Sequence, residues 1–341
     1  MLSARFRLTI TAMAALGVLT CVSPNAAVGA EKNFEVWLEG VRVEALKRGI
    51  KKEIVAEALA GITPVRRVIE RDRNQPEFKL TMARYQKHVI TPRNIAVGRK
   101  KAKIYSKLLS GVAARYGVQP RFILAIWGIE TRYGAIKANV PLIPSLATLA
   151  FDARRSTYFR KQLFAALEML NRGHIDIKSL FGSWAGAMGQ PQFMPSSYLA
   201  FAQDFDGDGR RDIWKNEGDV FASIANYLAK HGWRSDMTWG RAVKVAPGLI
   251  AGLGQPDRRA APGCRATTYP QKLLSQWQEL GVRKIDGSNL PTRVIKAALI
   301  RPDGDQGDAY LVYRNYAAIM AYNCAHLYAV TVGTLADRIK G

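Results

Sequence analysis

One carboxylate is placed to do acid–base chemistry. Glu130 stands near the end of an apolar stretch running from Pro120 to Gly134. The stretch reads as a helix, with Pro120 suited to its first turn, Phe122, Ile123, Ile126 and Trp127 forming a core face, and Gly134 just past its end. A carboxylate there meets the negative pole of the helix dipole, and apolar neighbours would desolvate it. Both effects favour the protonated form, which is how a carboxyl group serves as a general acid near neutral pH. The alternatives are an ordinary exposed helix glutamate or an ion pair with Arg132. No acid lies between Glu130 and Asp152, although a two-carboxylate glycosidase could draw its second acid from further away in sequence.

Two later stretches carry donor groups. Ser183 to Tyr198 interleaves Gln190, Gln192, Ser196 and Ser197 with Trp184 and Phe193, and Gly186, Gly189 and Pro191 keep it from being a plain helix. Uncharged amides and hydroxyls beside aromatic faces suit a sugar ring; a buried turn is the alternative. Asp204, Asp206 and Asp208, followed by Gly209, reproduce the first half of an EF-hand calcium loop. The second half departs from it, because Lys215 stands where a bidentate glutamate would close the loop; Asp219, four residues later, could close a longer one. So acidic a cluster in so basic a chain repels itself without a cation, and Ca2+ is expected; a solvated acidic turn is the alternative. No organic cofactor is expected.

The surrounding chain has 341 residues, 50 lysines and arginines against 27 acids, and a formal charge of +23. Its length allows two or three domains, its 48% hydrophobic content implies folded structure throughout, and its charge implies a polyanionic partner: nucleic acid, an anionic membrane face or an acidic polymer such as a cell wall. Arg5 and Arg7 precede an apolar run from Leu8 to Val22, followed by the small residues Ala26 to Ala30, so residues 1–30 read as a secretory signal peptide. A retained anchor or lipidation at Cys21 is the lesser alternative. Export makes a physiological nucleic-acid partner unexpected. It leaves Cys264 and Cys324 as a pair in an oxidising compartment, where a disulfide is expected.

Helical spacing fills residues 33 to 115, with Gly49, Gly61, Pro64 and Gly117 as punctuation, and resumes over Leu146 to Phe151 and Phe159 to Asn171. From Thr238 to Arg301 short apolar runs between Gly and Pro clusters read as a small strand-rich unit, and helical spacing returns after Tyr313.

Glu130-Thr-Arg-Tyr-Gly134, Ser183 to Tyr198, the Asp204 loop, Ala225-Asn226-Tyr227 and Tyr322-Asn323 stand in the order found in the membrane-bound lytic murein transglycosylase B family, which the chain resembles from residue 33 to its C-terminus. Gly-Ala-Met-Gly-Gln-Pro-Gln-Phe-Met-Pro-Ser-Ser-Tyr makes the resemblance specific. It implies a mainly α (α+β) fold: a lysozyme-like helical core over 113–236, a helical N-terminal domain over 31–112, a small β-rich domain over 237–305, and a C-terminal helix over 306–341 returning to the core. The activity implied is non-hydrolytic cleavage of the β-1,4 bond between N-acetylmuramic acid and N-acetylglucosamine in peptidoglycan, with Glu130 as the single catalytic acid and then base. Tyr85, Ser183, Met188, Gln192, Tyr227, Tyr322 and Asn323 would line the sugar cleft. Asp204, Asp206, Asp208 and Asp219 would hold calcium through side chains and Arg210 through its carbonyl; Trp184, Gln190 and Pro191 receive no role. The implied setting is the periplasm, with peptidoglycan strands as partner, cell-wall enzyme complexes as further partners, and a monomeric chain. A hydrolytic muramidase on the same fold and a non-catalytic peptidoglycan-binding protein are the rivals.

Overall fold

A computed structural model describes residues 24–74, 80–304 and 307–340. Residues 1–23 of the expected leader, with Cys21, lie outside the described residues, and among the described residues no helix is long and apolar enough to cross a membrane.

Helices α1 (Pro24–Lys47), α2 (Lys52–Ala58) and α3 (Arg66–Arg73) open the described chain, and α4 (Met82–Val89), α5 (Pro92–Ile104), α6 (Ser106–Tyr116) and α7 (Pro120–Thr131) follow. After the short strand β1 (Val140–Pro141) come α8 (Leu142–Phe151) and α9 (Ser156–Asn171). Strand β2 (Phe181–Gly182) pairs antiparallel with β1, and α10 (Pro195–Phe201) and α11 (Glu217–Lys230) complete the helical part before the sheet. The expected break between an N-terminal domain and a core at residue 112 is not where the packing divides. The apolar faces of α1 to α3 (Phe34, Leu38, Val55, Val68) share one buried cluster with α8 to α10, whereas α6 (Leu109, Val112) shares another with α7 and α11. Helices α2 and α3 are too short, at 7 and 8 residues, to close a core with α1 alone, so all three borrow one.

Strands β3 (Gly240–Lys244), β4 (Arg258–Arg259), β5 (Thr267–Thr268), β6 (Lys272–Leu273), β7 (Arg283–Lys284), β8 (Lys296–Ile300) and β9 (Ala309–Val312) form the β unit, together with α12 (Leu249–Leu253) and α13 (Leu274–Glu279). Its main sheet has the order β6-β8-β9-β3-β7. The sheet therefore takes in Ala309–Val312, past residue 305 where the unit was expected to end. The reason is pairing: Leu311 lies opposite both Arg241 and Leu299, filling the gap between β3 and β8. One face of the sheet covers Trp277 of α13. On the other, Trp239 lies over Gly333 of α15 (His326–Lys340), and its Nε1 donates to Asp337 at 3.0 Å. Asp337 also pairs with Arg121 of α7, so the β unit is pinned to the helical core. Between them, α14 (Arg314–Tyr322) leads from the sheet into α15.

The central element is α7. Pro120 takes its first position behind an extended Gln119, and every residue from Phe122 to Gly128 is buried. Its end is unusual. Arg132 and Tyr133 lie at φ 50° and 60°, with Gly134 at φ 80°. Left-handed backbone costs a non-glycine residue on the order of 1–2 kcal/mol. Burial holds Tyr133 there: its ring lies in a slot left by Gly128 of α7 and Gly98 of α5, and its hydroxyl donates to the Asn94 carbonyl at 2.9 Å.

Candidate active site

Glu130 occupies the penultimate position of α7, partly buried beside the turn that Arg132 and Tyr133 impose. Two contacts fix that helix end. The indole Nε1 of Trp127 donates to Gln190 Oε1 at 2.6 Å, and the Thr131 hydroxyl donates to the Gln190 carbonyl at 3.0 Å. Gln190 in turn bonds Ile213 through its backbone N–H and Trp214 through its side-chain amide, tying the helix end to the segment that leaves the acidic loop. Gln190, to which the sequence assigned no role, is thus the joint between the two motifs.

Tyr328 of α15 donates its hydroxyl to Glu130 Oε1 at 2.6 Å. Nothing marked this tyrosine in the sequence except its position six residues after Tyr322, which a returning helix places beside α7. Burial, followed by the Glu130 charge, pushes its pKa well above the ordinary tyrosine value, so it stays a donor. Tyr85 of α4, half-buried, is close enough to add to that shift. The Tyr328 ring stacks on Tyr322 at 6.4 Å between centroids, and Tyr322 meets Tyr227 at 4.8 Å. Tyr227 donates to the Ala321 carbonyl, and Tyr322 to the carbonyl of Pro191, another residue given no role in advance. A chain of aromatic rings thus runs from Glu130 across α14 to α11.

The Ser183–Tyr198 stretch folds as a tight double turn. Met188 bridges Gly182 and Phe193, and Ser183 accepts the Ala187 N–H on its hydroxyl at 3.1 Å. Ser183 and Gln192 are partly exposed, Gln192 at φ 53° with its amide on the Gly189 carbonyl. Met188 differs from the expectation that it lines a cleft. Its side chain is fully buried in the cluster below, because its backbone pairs on both sides and turns the side chain inward. Asn323, at the C-cap of α14, is exposed. Beside it, Cys324 forms a disulfide with Cys264, joining the α14–α15 turn to the β unit.

In the acidic loop, Asp204, Asp206 and Asp219 bring carboxylate oxygens within 4.8 Å of one another. Asp219 is fully buried; it accepts the Phe205 and Asp212 N–H groups at 2.7 and 2.6 Å. Burial, assisted by the Asp206 and Asp204 charges, still raises its pKa. Asp206 is lowered instead, first by the Asn216 amide. Asp208 does not join this group, because its Oδ1 turns back to accept the Arg210 N–H at 2.7 Å. Arg210 lies on the exposed side of the turn.

A family model described as transglycosylase SLT domain matches residues 33–337. The chain is 35% identical over 259 residues to membrane-bound lytic murein transglycosylase B of Escherichia coli, covering 75% of this chain and 66% of that protein, so it spans just under two thirds of that relative. It is similar to SltB3 of Pseudomonas aeruginosa in complex with NAG-NAM-pentapeptide, with a TM-score of 0.82, 40% identity, and 90% of this chain and 80% of that one covered. It also resembles Slt35 of Escherichia coli in complex with calcium, with a TM-score of 0.73, 29% identity, and coverage of 91% and 93%.

Proposed function

This chain belongs to the transglycosylase SLT domain family, and on that basis we propose that it is a lytic transglycosylase of peptidoglycan in which Glu130 is the sole catalytic acid and base. The observation that carries the assignment to Glu130 is the Tyr328 hydroxyl 2.6 Å from its carboxylate, at the head of the aromatic row. Glu130 protonates the glycosidic oxygen as the bond from C1 of N-acetylmuramic acid breaks. It then takes the proton from the C6 hydroxyl as that oxygen attacks C1, closing a 1,6-anhydro ring with no water consumed. The substrate's acetamido group stabilises C1 in place of a second carboxylate. Tyr85, Ser183, Gln192, Tyr227, Tyr322 and Asn323 line the cleft, and Met188 supports it from the core below.

Calcium binds the acidic loop through Asp204, Asp206 and Asp219. The donor set fits: three carboxylates converge, one of them fully buried, which is costly without a countercharge. The cation supplies positive charge that holds the loop and, through Gln190, the end of α7; it takes no part in bond-making. Residues 1–30 direct the chain to the periplasm, where its basic surface meets an anionic wall and its partners are glycan strands.

Mass spectrometry of fragments released from purified peptidoglycan tests the activity. Anhydromuramoyl ends, lighter by one water than hydrolytic products, are expected; reducing muramic acid ends would make the enzyme a muramidase. Glu130→Gln keeps the shape and removes the proton, so turnover is lost while glycan binding persists. Unchanged turnover would refute the role given to Glu130.

A further inference from the structure

On the face of the β unit nearest α14 is a recess of about 810 Å³, remote in sequence from the Glu130 motif. Six cations border it, and one acid, Asp236. Asp236 is already engaged by Arg234 and Arg293. That leaves Arg258, Arg259, Lys296 and Arg314, all exposed, with no ion pair among the described residues. Four like charges around one concavity repel one another, and the low-dielectric walls focus their field on whatever enters. The floor is apolar, with buried Ala298 and Tyr316.

We infer that this recess binds the carboxylate-bearing peptide stems of the glycan. Reach favours a peptide over other anions. Arg314 opens α14 and Tyr322 ends it, so recess and cleft are separated by eight residues of helix, about 12 Å at 1.5 Å per residue. An extended pentapeptide spans about 17 Å. A stem attached to a sugar held at Tyr322 therefore extends to the recess, where guanidinium groups pair its carboxylates and the floor takes its small apolar side chains.

The ligand class rests on the proposed activity, but binding is measured without turnover, so the two fail separately. Calorimetric titration uses free muramoyl pentapeptide against the full chain and against Arg258→Glu/Arg314→Glu, whose substitutions are exposed and whose fold is checked by its melting temperature. The wild type is expected to bind, with affinity about tenfold weaker in the double variant, restored in Arg258→Lys/Arg314→Lys, and lost when the ligand's carboxylates are amidated. On substrates, the variant's half-saturating concentration rises by a similar factor on peptide-bearing glycan and stays unchanged on glycan stripped of peptides. Equal binding by wild type and charge-reversed variant, or an equal loss on both glycans, would overturn the assignment. So would a variant that keeps the peptide but loses vesicles of phosphatidylglycerol, which would assign the recess to the membrane surface.

Discussion

Tyr328→Phe isolates a hydrogen bond that the fold, and not the motif, supplies to Glu130. The ring stays, so the stacking on Tyr322 and the packing of α15 are kept, and only the donor 2.6 Å from Glu130 Oε1 is removed. In the proposed reaction this is a neutral hydrogen bond worth about 1 kcal/mol while Glu130 holds its proton, and it would become a bond to a carboxylate worth about 1.5–3 kcal/mol once the proton moves to the leaving oxygen. The difference, on the order of 1–1.5 kcal/mol, is stabilisation realised only as the reaction proceeds, and its loss slows kcat about tenfold. KM on soluble glycan strands is expected to stay where it is, since the hydroxyl is spent on Glu130 and the ring face is retained. Steady-state release of anhydromuramoyl fragments by wild type and variant supplies both constants. An unchanged kcat, or a loss confined to KM, would show that Tyr328 orients substrate instead of supporting Glu130.

Other predictions concern the frame. Gly128→Ala destabilises in urea by up to about 2 kcal/mol although alanine favours helices by about 1, because the new methyl stands 2.6 Å from the Tyr133 ring and costs about 1–3; a gain in stability would mean that Tyr133 moves freely. Calcium raises the melting temperature, by about 2.7 kcal/mol of stabilisation at a hundredfold excess over Kd, and Asp206→Ala abolishes the effect; a calcium response that survives in the variant would place the cation elsewhere. Burial lowers the pKa of His326, whose ring nitrogens are held by the Tyr316 hydroxyl and the Thr267 carbonyl. The unfolded chain therefore takes up the proton first, near 6.5, and stability falls with decreasing pH below that point by up to about 1.4 kcal/mol per unit. His326→Gln flattens that slope when unfolding is followed between pH 7 and 5; an identical slope would assign it to other groups.

Local features were legible in the sequence because local chemistry dictates them. An apolar run opened by Pro120 reads as a helix from its own spacing, although Arg132 and not the expected glycine caps its end, and the spacing of Asp204 and Asp206 with Gly207 and Gly209 folds the acidic turn through side-chain bonds to its own backbone. The family resemblance of the long Gly-Ala-Met-Gly string added the lysozyme-like class. What pattern could not supply was partnership at a distance. Tyr328 reaches Glu130 across a separation of 198 residues, and Gln190 reaches Trp127 across 63, contacts that depend on how α15 and the double turn pack on α7. Met188 reads as a cleft residue by its motif and lies in the core because two backbone pairings decide which way it faces. Strand β9 falls inside the span 306–341 expected as the C-terminal helix, and only its pairing with β3 and β8 puts it in the sheet. Side-chain type and spacing set which groups are available; which of them meet is set by burial and hydrogen-bond satisfaction summed over the whole chain.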